Sequence, residues 1–298
     1  MKKNILFVAV FTPNSTNISQ SRGLKNIGYN VDEYDFRAIS RNLNSHTKRD
    51  IHLINHIKSS KPDIILFSKA DGINPDVIDE CNKYATTILW YMDALHNFTP
   101  QTIRLVQKIN YFICGIPGVV YEGIKYNQNT FFIEQCDDDE FNYPMDNIEK
   151  TIDISFIANI DPHPIHSNRQ PYIDFINKNF QNFQHINGIY GLEHNKIVNS
   201  SKININICPT DKTGASVRLH KLLAAKSFVM TTPWIDMDIN FTPNKDFIIF
   251  DSPEEFKEKA IYYLNNPIHR DIIRTNGYNT IQNHHPNKWA ENIMNLIP

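Results

Sequence analysis

Short apolar runs alternate with amphipathic stretches along the whole chain. In the first half strand candidates fall at 5–10, 31–36, 64–67, 87–92, 111–114 and 130–133. In the second they fall at 152–158, 185–188, 203–208, 228–231 and 247–250. Runs with no polar alternation predict strands buried on both faces. Helix-length segments separate them, such as 50–59, with Ile51, Ile54 and Ile57 on one side, and 74–84. The clearest helix begins at Ser252, Pro253, Glu254 and Glu255. Serine caps, proline suits the first turn and Glu255 completes a capping box. Phe256, Ala260, Tyr263 and Leu264 then share a face, and 265–267 ends the helix. Doubly covered strands with helices between them predict an α/β chain of parallel sheets.

A length of 298 residues suits two domains of ordinary size. With 41% hydrophobic and 21% charged residues, each half can bury a core. Residues 134–150 divide the halves. Asp137, Asp138, Asp139 and Glu140 are consecutive there, and Pro144 follows. Clustered carboxylates can hold a hard cation, but unheld like charges repel, so the favoured reading is a solvated linker. Two doubly wound domains give a cleft, with chemistry in the loops after the strands.

The net charge of −2 offers no footprint for a phosphate backbone and excludes nucleic acid as a bulk partner. Cys81, Cys114, Cys136 and Cys208 form no C-x-x-C pair and read as small buried hydrophobes. The opening Met1-Lys2-Lys3 with 5–10 has too short an apolar run for a signal peptide, and no stretch reaches membrane-spanning length. The expectation is a cytoplasmic protein with no integral membrane segment.

Two places suit an anion. The loop 160–168 leads into a helix opened by Arg169. Free N–H groups at a helix start favour phosphate, and an arginine can add a bidentate contact. His163 and His166 in this loop have no evident third ligand and read as surface residues. The second place is Gly214-Ala215-Ser216-Val217-Arg218, which follows the strand at 203–208 and begins a helix. Small residues there let backbone approach a ligand. Arg218 and Lys221 lie three apart at that helix start.

From Tyr190 the chain reads YGLEHNKIVNSSKININICPT, then GASVRLHKLLAAKSFVMTT from Gly214, then DFIIFDSPEEFKEKAIYYLNNPIHRDIIRTNGYNTIQNHHPNKWAENIMNLI from Asp246. Order and spacing resemble the CgeB-like (spore-coat protein type) glycosyltransferases of the GT-B superfamily. Residues 153–159, DISFIAN, resemble the start of that family's donor domain, with Ala158 in place of its glycine. Arg169 and Arg218 match family arginines, and Tyr263, Pro267, Arg270, Gly277 and His285 match its ending. Weaker matches in the first half are KPDIILF at 61–67 and LWYMD at 89–93.

The resemblance implies two Rossmann-like domains facing each other across a cleft. They are 1–140 on the acceptor side and 151–285 on the donor side, with 286–298 a helix returning to the first domain. It implies a metal-independent transfer of sugar from a UDP- or GDP-linked nucleotide-diphospho-sugar, used as substrate with no cofactor. The acceptor would be a glycan, a protein or a small molecule. Asp93 and His96, beyond a strand end, are the implied candidates for the base that deprotonates it. The implied donor-binding residues are Asn159, Arg169, Tyr190, Thr213, Gly214, Ala215, Ser216, Arg218 and Lys221. The family's ribose-holding glutamate falls on Lys221, a second acid falls near Thr213, and a glycine falls on Lys226. Asp236-Met237-Asp238 spells a metal-bridging motif but follows Pro233-Trp234, where this fold has no such site. Loss of the acids leaves a catalytically inactive nucleotide-sugar-binding protein as the alternative. A nucleotide-sugar epimerase of the same fold is another.

Overall fold

The structure, a computed structural model, describes residues 3–137, 139–161 and 163–297. It forms two α/β units. One runs to Gln135 and includes the chain from Pro286 onward; the other is Cys136–His285.

The first unit begins β1 (Asn4–Ala9), α1 (Thr16–Asn26), β2 (Asn30–Asp35), α2 (Phe36–Leu43), α3 (His46–Ser60) and β3 (Ile64–Ser68). It continues with α4 (Pro75–Cys81), β4 (Thr86–Tyr91), α5 (Pro100–Lys108), β5 (Tyr111–Cys114), α6 (Pro117–Gly123) and β6 (Thr130–Phe132). The sheet order is β2-β1-β3-β4-β5-β6, every pair parallel. Leu6, Phe7, Val8, Ile65, Leu66 and Phe67 are fully buried, as expected for strands covered on both faces.

Two expectations change here. The run at 31–36 is an edge strand with only Tyr34 buried, and Phe36 already opens α2, where the Asp35 carboxylate accepts from Ala38 N at 2.8 Å. The helix expected at 50–59 starts earlier and turns a different face inward. Arg49, Asp50, Leu53 and Ile57 are buried, while Ile51 is 56% exposed. A buried ion pair causes this: Arg49 donates Nε and Nη2 to Asp50 Oδ1 at 2.8 and 2.6 Å. Nη2 also reaches Gly72 O at 2.6 Å.

The second unit contains β7 (Ile152–Ile157), α7 (Arg169–Asn179), β8 (Phe183–Ile186), α8 (Gly191–Ser200) and β9 (Ser201–Asn206). Then come α9 (Val217–Ala224), β10 (Val229–Thr231), β11 (Ile248–Ile249), α10 (Pro253–Asn265) and α11 (Pro267–Ile281). Its sheet runs β11-β10-β9-β7-β8, again all parallel. Both sheets have the doubly wound pattern expected from the apolar runs. Ser252 caps α10 by accepting from Glu255 N at 3.1 Å. Glu255 reaches Asp251 N rather than the cap residue's own N–H, at 2.7 Å.

The segment after Gln135 is exposed over much of 143–150 but is tied down at several points. Asp137 is buried and its N–H meets His284 O at 3.2 Å. Asp139 pairs with His285 at 2.9 Å. Asn195 and Asn199 each donate to Tyr143 O, and Asn199 Oδ1 accepts from Met145 N. Side-chain amides thus satisfy backbone groups that a free linker would leave to water. Asp138 lies outside the described residues. All four cysteines are free and buried.

In the first unit α12 (Pro286–Asn295) packs on α1. Gly23 permits the close approach, since a Cβ there would lie 2.3 Å from Pro286 O. Among the described residues no helix is long and apolar enough to cross a membrane.

Candidate functional site

In the first unit Asp93 follows β4 and accepts from Lys69 Nζ at 2.6 Å. Lys69 and Ala70 follow β3 with φ of +61° and +60°, a left-handed pair that is strained for residues with a Cβ. His96 lies exposed in a 3-10 turn, Leu95–Asn97.

In the second unit the chain starts at β7, goes to β8 on one side, then crosses to β9 on the other. The gap between the carboxyl ends of β7 and β9 is therefore the topological switch point, where open parallel sheets bind ligands. Arg218 occupies it. Its Nε donates to Ile157 O at 3.0 Å, and its Nη1 to Asn206 Oδ1 at 3.1 Å and Ile207 O at 3.4 Å. The guanidinium also lies over the Phe156 ring, 5.1 Å from its centroid. Nη2 has no hydrogen-bond partner among the described residues. Burial, with Arg169 nearby, lowers the Arg218 pKa to about 9. An arginine held by neutral carbonyls, so deep that desolvation reaches it, is prepared for an anion.

Asn206 sets this geometry. It is fully buried, its Oδ1 accepts from Ser216 Oγ at 3.1 Å as well as from Arg218, and its Nδ2 donates to Thr231 Oγ1 at 2.9 Å. Ser216 therefore gives its hydroxyl to Asn206 and does not cap α9 with it.

Beside Arg218 lies a recess of about 130 Å³. Ile157, Ala158 and Asn159 line it from the end of β7, and Asn187, Gly188 and Ile189 from the loop after β8. Tyr190, Gly191 and His194 contribute from the start of α8, Val217, Arg218 and Lys221 from the start of α9, and Asn142 completes the lining. Neither helix start is capped by a side chain. No carboxylate is among these lining residues. Two uncapped helix starts with two cations make the recess electropositive.

Of the expected donor residues, Asn159, Tyr190, Arg218 and Lys221 line this recess, while Arg169, Thr213, Gly214, Ala215 and Ser216 do not. Arg169 opens α7 as expected, but it is 3% exposed and donates Nη1 to Asn159 O at 2.6 Å. Burial lowers its pKa to about 10, and its Nε is buried without a partner among the described residues. It holds the loop after β7 in place from behind. Thr213 donates its hydroxyl to Asp211 at 2.9 Å.

His194, Asn206 and Asn187 were not singled out from the sequence. Asn206 left a signal: ININIC places two asparagines in a strand otherwise apolar, and a buried asparagine needs partners. His194 left none, because a histidine on a helix following a loop reads as surface.

Burial, then Lys221 and Arg218, lower the His194 pKa to about 4, against an ordinary 6.5. The unfolded chain takes up a proton near pH 6.5, whereas the folded chain resists to about 4. Stability should therefore fall as pH drops through that window and be unaffected above it. Urea midpoints compared with His194→Leu should diverge below pH 6.5; parallel curves down to pH 4.5 would refute the shift.

His166 Nδ1 meets Asp161 at 2.5 Å, an ion pair if protonated. Among the described residues no group of three or more His, Cys, Asp or Glu side chains is arranged to hold a metal ion.

Residues 157–295 match the family model described as "Glycosyl transferase-like". No curated protein sequence matches the chain. Among solved structures, sucrose-phosphate synthase from Thermosynechococcus elongatus aligns over 99% of this chain and 98% of its own, at 9% identity and TM-score 0.68. HepE from Anabaena, in complex with UDP and glucose, aligns over 98% of both chains at 8% identity and TM-score 0.69. The catalytic domain of starch synthase IV from Arabidopsis thaliana, bound to ADP and acarbose, aligns over 99% of both chains at 9% identity and TM-score 0.67. The chain therefore has the two-sheet GT-B fold of glycosyltransferases.

Proposed function

We propose that the chain is a glycosyltransferase of the CgeB-like subtype, moving a sugar from a nucleotide-diphospho-sugar to an acceptor hydroxyl. The observation that carries the reading is Arg218 at the switch point of the second unit, beside a recess with two uncapped helix starts. A diphosphate is the anion that suits such a place. The family match over 157–295 supports the same reading, and the HepE and starch synthase structures hold UDP and ADP. In this proposal Arg218 and Lys221 contact phosphate, with no metal bridge, and Arg169 acts only through the loop it holds. Asn159 and Tyr190 flank the nucleotide. Asp93, oriented by Lys69, is the candidate base, with His96 beside it in sequence. The acceptor is a glycan, a protein or a small molecule, and the reaction is cytoplasmic.

A thermal-shift series with UDP, GDP and ADP tests the donor site. A ligand at a hundred times its dissociation constant adds about 2.7 kcal/mol, so the preferred nucleotide should raise the melting temperature clearly. No shift with any of the three would remove the donor-site reading. Consumption of the matching nucleotide-sugar only when acceptor is supplied would separate transfer from binding alone.

Lys221 gives a sharper test. Its ammonium is a donor-only cation, and Lys221→Glu would put an acceptor-only anion into a recess that now holds no carboxylate. Nucleoside-diphosphate affinity should fall on the order of tenfold, the effect of one lost charge-assisted contact. An unchanged affinity would make Lys221 a solvated surface residue.

A further inference from the structure

His194 is 7% exposed and lines the recess, yet its ring nitrogens have no hydrogen-bond partner among the described residues. They are not among the fully enclosed unpaired atoms of the fold, so a group entering the recess can reach them. Such an atom, aimed into a ligand recess, points to a partner that arrives with the ligand.

The chemistry of the neighbours narrows that partner. Arg218 and Lys221, the cations of the recess, can only donate. Both serve an anion, and both help keep the imidazole neutral. A neutral imidazole has one donor and one acceptor nitrogen, so it complements a hydroxyl group, which also donates and accepts.

We propose that His194 is a ligand contact that hydrogen-bonds a hydroxyl of the bound nucleotide, on the ribose or on the sugar it carries. This rests on the nucleotide-sugar reading of the recess. The contact makes His194 a specificity-determining residue, because it distinguishes a hydroxylated ligand from its deoxy analogue.

The experiment measures melting temperature and affinity together, for wild type, His194→Leu and His194→Gln. The probes are UDP, 2′,3′-dideoxy-UDP and UDP-glucose. Leucine keeps the side-chain bulk and removes ring nitrogens that are not fully enclosed, so the free variant should melt within about 2–4 °C of wild type. Its affinity should nevertheless fall on the order of tenfold, while glutamine, which keeps a donor and an acceptor, should stay within about threefold of wild type.

If UDP weakens and dideoxy-UDP binds both proteins alike, the hydroxyl is on the ribose. If UDP is unchanged and UDP-glucose weakens, it is on the carried sugar. Either result supports the contact. A leucine variant that binds UDP and UDP-glucose as wild type does overturns the proposal while leaving the nucleotide reading intact. Weaker binding with a melting temperature lowered beyond that range also overturns it, since His194 would then be a packing residue. If wild type binds none of these probes, the same series is run with the guanosine and adenosine counterparts, and failure with all three nucleotides removes the nucleotide reading and this inference with it.

Discussion

Trp289→Ala should destabilise the first unit by about 3–5 kcal/mol, the range for removing a buried large aromatic. Trp289 is 1% exposed and meets Trp90 edge-on, with ring centroids 5.4 Å apart and planes at 78°. Its helix, α12, is drawn close to α1 by Gly23, and Ala290 and Ile293 are fully buried beside it. Alanine would leave a cavity between two rigid elements that cannot collapse onto it. Trp289→Phe separates packing from polarity. The indole N–H of Trp289 has no partner among the described residues, so phenylalanine forfeits area but no hydrogen bond and should lose far less. Urea unfolding followed by far-UV circular dichroism and by tryptophan fluorescence would measure both variants. A chain of two units need not unfold in one step, so the transition that moves identifies the unit. An alanine variant within about 1 kcal/mol of wild type would contradict the packing argument.

Arg218→Ala should weaken nucleoside-diphosphate binding by about 1.5–3 kcal/mol, the range for a hydrogen bond to a charged group. It should also lower stability, because Ile157 O and Ile207 O lose their donor and Asn206 loses one of its partners. Arg218→Lys tests whether the fork matters. A lysine keeps the charge but cannot reach two strand ends at once, so it should recover part of the affinity and little of the stability. Isothermal titration with the nucleotide preferred by wild type gives the comparison. Wild-type affinity in the alanine variant would take Arg218 out of the site.

The strands were legible because burial on both faces writes itself as unbroken apolar runs, as in Ile5–Val8 and Ile64–Phe67. Every expected run overlaps an observed strand, and the doubly wound class followed from the helices between them. Where a local polar contact outweighed apolar periodicity, the reading failed. Ile51 is exposed because the Arg49–Asp50 pair turns α3 inward on its other side. Lys226 stands where the resembling family has a glycine, and the backbone there is still left-handed, at φ +51°. The turn outlasted the residue type that best tolerates it.

Arg169 and Arg218 look equivalent in the sequence, each at a helix start after a strand. The fold makes one of them a clamp on Asn159 O and puts the other between two strand ends. That difference depends on β9 crossing β7 to lie on its far side, and strand order is a long-range property that no local pattern records. His194 is decided in the same way, since the cations beside it come from α9, a separate helix. The sequence by itself determined where strands and helices form, because backbone propensity and burial periodicity are local. Only the tertiary structure decided which polar side chains meet, because desolvation and charge depend on what the fold brings within a few ångströms.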